Sequence, residues 1–198
     1  MLRPLFFLYF LYLLSLLYFL SFMTLPSRLR FLWLTLAVVL LDRATKAWIE
    51  SRPTDQFPAS VISNYFYLVD SRNPGIAFSF LAGLSSPALR VILIVGSLVI
   101  IAVIAWLLVA SRGISAVNAA GLALLLGGAT GNLTDRILHG AVTDFIEVYL
   151  HFLPWQTFNP WPAFNIADSA ITVGAILILL DILFGRRSEA PHSNLRTP

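Results

Sequence analysis

The chain has 198 residues, 58% of them hydrophobic and 12% charged, with a mean hydropathy of +0.82. A soluble domain carries about 25% charged residues, so no single aqueous core can hide this much apolar side chain, and the sequence reads as that of a membrane protein. The absence of cysteine excludes disulfides, thiolate nucleophiles and cysteine metal sites, and the net charge of +3, spread over dispersed basic residues, carries no nucleic-acid footprint.

Met1 to Thr24 is an almost unbroken Leu/Phe/Tyr run behind Arg3, with no small-residue cleavage pattern after it. It reads as an uncleaved hydrophobic helix, either spanning or lying in the interface, and Met23 offers an alternative start. Residues 1–27 are therefore set apart as a hydrophobic extension, 28–185 as the membrane domain and 186–198 as a polar cytoplasmic tail.

Four apolar segments follow: Phe31 to Leu41 with mixed flanks, Pro87 to Ala110, Ile114 to about Leu133, and Phe164 to Phe184. A hydrocarbon core about 30 Å thick takes roughly 20 helical residues, so each is expected to cross it. The predicted architecture is an all-α polytopic membrane protein, a bundle of four transmembrane helices with a small outer β-rich cradle and the extra N-terminal segment. Arg28, Arg30, Arg112, Arg186 and Arg187 then share one side, the cytoplasmic one. Arg43, Lys46 and Arg136 fall at outer ends against that bias, as paired or functional charges would.

The outer connection from Ile49 to Ser86 contains Val61 to Val69, β-branched and aromatic and bounded by Pro58 and Asn73-Pro74-Gly75. A strand or hairpin on the outer surface is expected there. The connection from Ile137 to Ala163 holds Trp155 and Trp161 among Pro154, Pro160 and Pro162; it is expected to lie over the membrane face as a lid or collar.

Polar residues gather at the outer helix ends. Asp144 and Asp168 lie beside apolar segments, and a carboxylate at membrane depth costs about 2.5–3.5 kcal/mol by insertion scales, which calls for a partner, a water-filled cavity or a function. Asp42, Thr45 and Lys46 share one helical face, as an ion pair closing a helix or as part of a site. Asn132, Asp135 and Arg136 repeat that spacing after Gly127-Gly128-Ala129-Thr130-Gly131, whose small side chains favour close helix packing. Asn165, Asp168 and Ser169, with Thr172 a turn later, form a third stripe; N-terminal capping would explain Asn165 but not an inward Asp168. His139, His151 and His192 form no pair with metal-ligand spacing, and no metal or organic cofactor is expected. The helix ends of one small bundle lie close together, so a pocket lined by Asp42, Asn132, Arg136, Asp144, Asn165 and Asp168 is expected. Because the helix interiors are almost purely apolar, an enzyme at the membrane surface is preferred. The alternative is a small polytopic transporter or scaffold using Asp144 and Asp168 to bind a proton or cation.

Five ordered motifs carry a resemblance: Asp42-Arg43-Ala44-Thr45-Lys46, Asn73-Pro74-Gly75-Ile76-Ala77-Phe78, Gly128-Ala129-Thr130-Gly131-Asn132-Leu133-Thr134-Asp135-Arg136, Val142-Thr143-Asp144-Phe145 and Phe164-Asn165-Ile166-Ala167-Asp168. Together, over about Arg28 to Phe184, they resemble the bacterial lipoprotein signal peptidases, or signal peptidase II. The resemblance implies an aspartic endopeptidase of the bacterial inner membrane, with its site near the outer, periplasmic face and Asp144 and Asp168 as the catalytic pair. It also implies substrate-contacting or supporting roles for Asn73, Asn132, Arg136 and Asn165, and ion-pair or shaping roles for Asp42, Lys46 and Asp135. The implied substrate is a prolipoprotein whose cysteine carries diacylglycerol, cleaved just before that cysteine, with membrane lipids as the other partners. The N-terminal extension and the long Trp/Pro-rich connection depart from the pattern.

Overall fold

A short 3-10 turn over Ser27–Phe31 leads into helix α1, Leu32–Glu50, and a second over Thr54–Gln56 precedes the hairpin of β1, Ala59–Ile62, and β2, Phe66–Asn73. Helices α2, Pro87–Ala110, and α3, Ala116–Leu138, come next, then β3, Val142–Val148, β4, Trp161–Phe164, and helix α4, Ile166–Phe184. This computed structural model describes residues 26–74, 87–111, 113–151 and 159–185. The expectations for the N-terminal run, for Gly75 to Phe78, for Arg112, for Pro154 and Trp155 and for the tail fall outside the described residues.

By length and composition, three of these helices are long and apolar enough to cross a membrane: Ala88–Ala110, Ala116–Leu138 and Ile166–Phe184. Helix α1 differs because its second half carries Asp42, Arg43, Lys46 and Glu50. The apolar half could face lipid, whereas Asp42 and Lys46 are fully buried against the rest of the protein. Helix α2, with a mean hydropathy of 3.1, instead leaves Val91, Ile92, Val95, Val99 and Trp106 exposed. An apolar surface of that kind suits hydrocarbon, where it costs nothing to leave uncovered.

Helix α3 lies at the centre, packed against α1, α2 and α4. Its small residues allow contact at backbone distance. A Cβ at Gly121 would come within 2.8 Å of Gly174 O, and one at Gly174 within 2.6 Å of Gly121 O. A Cβ at Gly128 would strike the carbonyl oxygen of Ala167, and one at Gly131 would come within 2.6 Å of Asp42 Oδ2. Ser115 starts the helix by accepting a hydrogen bond from Asn118 N. Gly140, at φ +77, reverses the chain just past its end; glycine adopts that left-handed conformation without steric cost.

The four strands form one antiparallel sheet in the order β1-β2-β3-β4. The expected hairpin is present, with Asn64 at φ 68 in its turn, a conformation asparagine tolerates. Its partner β3 lies where a loop was expected, and β4 takes up Trp161 and Pro162 from the expected lid. Thr, Asp and Glu interrupt the apolar pattern of β3, and its main partner β2 lies about seventy residues earlier: Asn73 pairs with Val142 and Ser71 with Asp144.

Candidate active site

Strand β3 sets Asp144 2% exposed beneath the end of β2. Asn73 Nδ2 donates to its Oδ2 at 3.0 Å, and Asn165 Nδ2 donates to its Oδ1 at 2.7 Å. Burial pushes the Asp144 carboxyl up, and the charge of Asp168 pushes the same way; the two amides and the field of Lys46 pull it back, leaving it at about 6.

Asp168 stands in the first turn of α4, where it completes a reciprocal cap with Asn165. Asn165 Oδ1 accepts from Asp168 N at 2.9 Å, and Asp168 Oδ2 accepts from Asn165 N at 3.2 Å. The other Asp168 oxygen accepts from Asn132 Nδ2 at 2.7 Å. Asn165 is therefore a helix cap and a bridge at once: its oxygen caps α4 while its NH2 reaches Asp144.

Behind this pair lies a buried ion cluster. Lys46 Nζ stands 2.8 Å from Asp42 Oδ2 and 2.8 Å from Asp135 Oδ2, and 3.1 Å from Asn132 Oδ1, so its three N–H groups have three acceptors. Asp42 also accepts from Ala167 N at 3.1 Å, tying α1 to the start of α4. Asp135 is further paired with Arg43 and accepts from Thr143 N at 3.3 Å. Two carboxylates thus meet two cations, the balance a buried cluster requires. The ion-pair reading of Asp42 and Lys46 describes their contacts, whereas Thr45 turns its hydroxyl to Leu41 O and Asp42 O of its own helix and does not join them.

Thr143 was not among the residues singled out from sequence, yet it is fully buried and every polar group on it is engaged. Its hydroxyl donates to Glu50 Oε1 at 2.7 Å and accepts from Arg72 at 2.9 Å, and its carbonyl accepts from Asn165 Nδ2 at 3.3 Å. Glu50 in turn faces Arg72 at 3.2 Å and Arg43 at 3.8 Å. Glu50 could have been found, since it lies one helical turn beyond Lys46; Thr143 stands inside the motif around Asp144 but was given no role of its own, and nothing local marks Arg72.

Among the described residues, two cavities open beside Asp168. One, of about 300 Å³, lies between α2, α3 and α4, and Ser97, Ile100, Ile104, Asn132, Arg136 and Asp168 are among its walls. The other, of about 420 Å³, lies between β4 and α4 and is walled by Trp161, Phe164, Ser169, Thr172 and Val173 as well as Asp168. Of the residues expected to line one pocket, Asn132, Arg136 and Asp168 wall the first of these cavities, and Asp42, Asp144 and Asn165 are buried. The Nε of Arg136 is buried without a hydrogen-bond partner, and its guanidinium feels the charges of Asp168, Asp144 and Asp135. Ser169 and Thr172 spend their hydroxyl protons on the carbonyls of Asn165 and Asp168. Among the described residues, no three His, Cys, Asp or Glu side chains gather in a way that could hold a metal ion.

Comparison with known proteins finds that residues 34–184 match the family model described as signal peptidase (SPase) II. The chain is 42% identical to the lipoprotein signal peptidase of Pseudomonas putida over 165 residues, covering 83% of this chain and 93% of that protein. It is 43% identical to the lipoprotein signal peptidase of Geobacter sulfurreducens over 157 residues, 79% of this chain and 92% of that protein. Among solved structures, a bacterial membrane enzyme determined by the in meso method at 2.3 Å superposes with a TM-score of 0.66 at 26% identity, covering 81% of this chain and 93% of the other.

Proposed function

Because the chain belongs to the signal peptidase II family, we propose that Asp144 and Asp168 are the two carboxylates with which it hydrolyses prolipoproteins. The protein is a multi-pass membrane enzyme that removes signal peptides from prolipoproteins; the transporter or scaffold alternative is not favoured. The observation that carries the choice of carboxylates is their common hold on Asn165, side chain to Asp144 and backbone to Asp168, with Asp168 at the edge of two largely apolar cavities.

Two carboxyl groups with so much of their environment in common do not ionise independently, and the pair keeps one proton. The ionised member takes a proton from water as the water oxygen bonds to the scissile carbonyl carbon. The protonated member gives its proton to the carbonyl oxygen. When the tetrahedral intermediate collapses, the C–N bond breaks, the proton drawn from water passes to the leaving amine, and the carbonyl oxygen returns the other. The pair ends with one proton, as it began.

In this reading Asn73 and Asn165 hold Asp144, and Asn132 holds Asp168. The Arg136 guanidinium, with a buried N–H free of protein acceptors, takes a carbonyl oxygen of the substrate. Asp42, Lys46 and Asp135 fix the helix ends behind them. The cysteine just after the cut carries diacylglycerol, whose chains the apolar cavity walls and surrounding lipid receive. The working unit spans residues 28–185, with α1 as a fourth crossing. The site faces the outer side of the bacterial inner membrane. Arg28 donates to Val109 O at 2.9 Å, so the start of α1 and the end of α2 share the basic end of the bundle, and the sheet belongs to the other end.

The test is cleavage of a synthetic lipidated prolipoprotein peptide by the purified enzyme in detergent. Asp144→Asn and Asp168→Asn are each expected to lower kcat by about a thousandfold, within the range of a lost general acid or base, with the thermal midpoint little changed. Substantial cleavage by either variant would overturn the assignment.

A further inference from the structure

We propose that Arg90 is a positioning residue for substrate recognition, acting through Arg136; the inference rests on the reading of Arg136 as a substrate contact. Arg90 lies in the first turn of α2, and its guanidinium reaches across to the last turn of α3. Nε donates to the carbonyl oxygen of Arg136 at 3.1 Å, and Nη2 donates to that of Ile137 at 2.9 Å. The last four carbonyls of a helix have no partner within it, so one side chain from another helix satisfies two of α3's four. The charge has the favourable sign for a helix C-terminus.

The seat for this guanidinium is shaped by Gly140. A Cβ at that position would come within 3.2 Å of Arg90 Nη1 and 3.3 Å of Cζ, so the bare glycine leaves room for the planar group against the turn that starts β3. The fork therefore joins three parts of the site: α2, which supplies Ser97, Ile100 and Ile104 to the cavity wall; the turn of α3 from which the Arg136 side chain departs; and the chain entering β3 four residues before Asp144. With both carbonyls held, that turn neither frays nor tilts, and Arg136 keeps its aim into the cavity. Arg90 touches no reacting atom. Its effect falls on substrate binding and leaves the proton chemistry of Asp144 and Asp168 alone.

The test uses the full-length enzyme in detergent and a diacylglyceryl-cysteine signal-peptide substrate. Arg90→Gln keeps polarity but loses the charged fork; it is expected to raise KM about five- to tenfold, the upper part of the range for helix-terminus contacts, with kcat within about twofold and the pH profile unshifted. Arg90→Lys, which keeps the charge and loses the planar fork, should recover part of the loss. The double variant Arg90→Gln/Arg136→Ala should be no worse in KM than Arg136→Ala alone, because Arg90 acts only through Arg136. An unchanged KM in Arg90→Gln, multiplying losses in the double variant, a shifted pH profile, or an Arg90→Gln protein that no longer folds would each overturn the proposal. If Arg136→Ala itself leaves KM unchanged, the reading of Arg136 fails and this inference with it; if Arg136→Ala raises KM while Arg90→Gln does not, this inference alone fails.

Discussion

Lys46 Nζ lies 3.1 Å from Asn132 Oδ1, and that contact decides which way the Asn132 amide faces. An ammonium only donates and an ionised carboxylate only accepts. With its oxygen turned to Lys46, Asn132 must offer its NH2 to Asp168, where Nδ2 stands 2.7 Å from Oδ1. A buried cation thus orients a proposed catalytic carboxylate through one intervening amide.

Lys46→Met would leave Asp42 and Asp135 buried without their common partner. Losing one member of a buried ion pair costs about 3–5 kcal/mol, so a clear drop in the thermal midpoint in detergent is expected. Adding Asp42→Asn and Asp135→Asn removes the uncompensated charge and should restore part of the stability. A single variant as stable as the parent would show that the cluster contributes nothing.

Asp144 titrates at about 6, above its ordinary 3.8. The folded protein therefore holds a proton that the unfolded chain releases, and stability falls as pH rises from about 4 to 6, remaining at the lower level above that. Activity depends on the pair keeping one proton, so kcat/KM of the free enzyme should show an alkaline limb with an apparent pKa near 6. Asn73→Ala removes a hydrogen bond to the ionised form and should move that limb to higher pH. A pH–rate series on the two proteins decides it; a limb that stays or moves down would contradict the Asn73–Asp144 contact as the cause.

Asn165 separates stability from chemistry. Asn165→Ser retains an oxygen to cap α4 but loses the NH2 that reaches Asp144, whereas Asn165→Ala loses both. Ser should keep most of the thermal stability, Ala should lose about 1 kcal/mol from the cap plus a buried-group penalty, and both should cleave far more slowly than the parent. Calorimetry beside cleavage kinetics separates the two effects, and a Ser variant with full activity would remove Asn165 from the site.

Gly128 faces the carbonyl of Ala167 with no room for a methyl group. Gly128→Ala should force α3 and α4 apart at a cost of about 1–3 kcal/mol, and the shift displaces Asp168, one residue beyond Ala167, from Asn132. Thermal stability and kcat should fall together; unchanged values in both would mean that the helices accommodate the methyl group without moving.

The apolar runs by themselves determined α2 and α4, since long stretches without charge leave few alternatives to crossing a membrane as a helix. They also located Asp144 and Asp168, because a carboxylate beside such a run stands out against its surroundings. The apolar run Phe31 to Leu41 is the first half of α1, which continues through its charged residues to Glu50, and β3 was missed because a strand is recognised from alternation that Thr143, Asp144 and Glu147 interrupt. What the tertiary structure alone decided was which polar atoms meet. Lys46 and Asn132 are 86 residues apart, and Asn73 and Asp144 are 71 apart. Arg90 meets the end of α3 across 46 residues. Periodicity reports which face of an element is apolar, which is a property of neighbouring residues. A polar group's partner is fixed by where packing brings a distant element, and in this protein the glycines of α3 bring the helices close enough for those contacts to form.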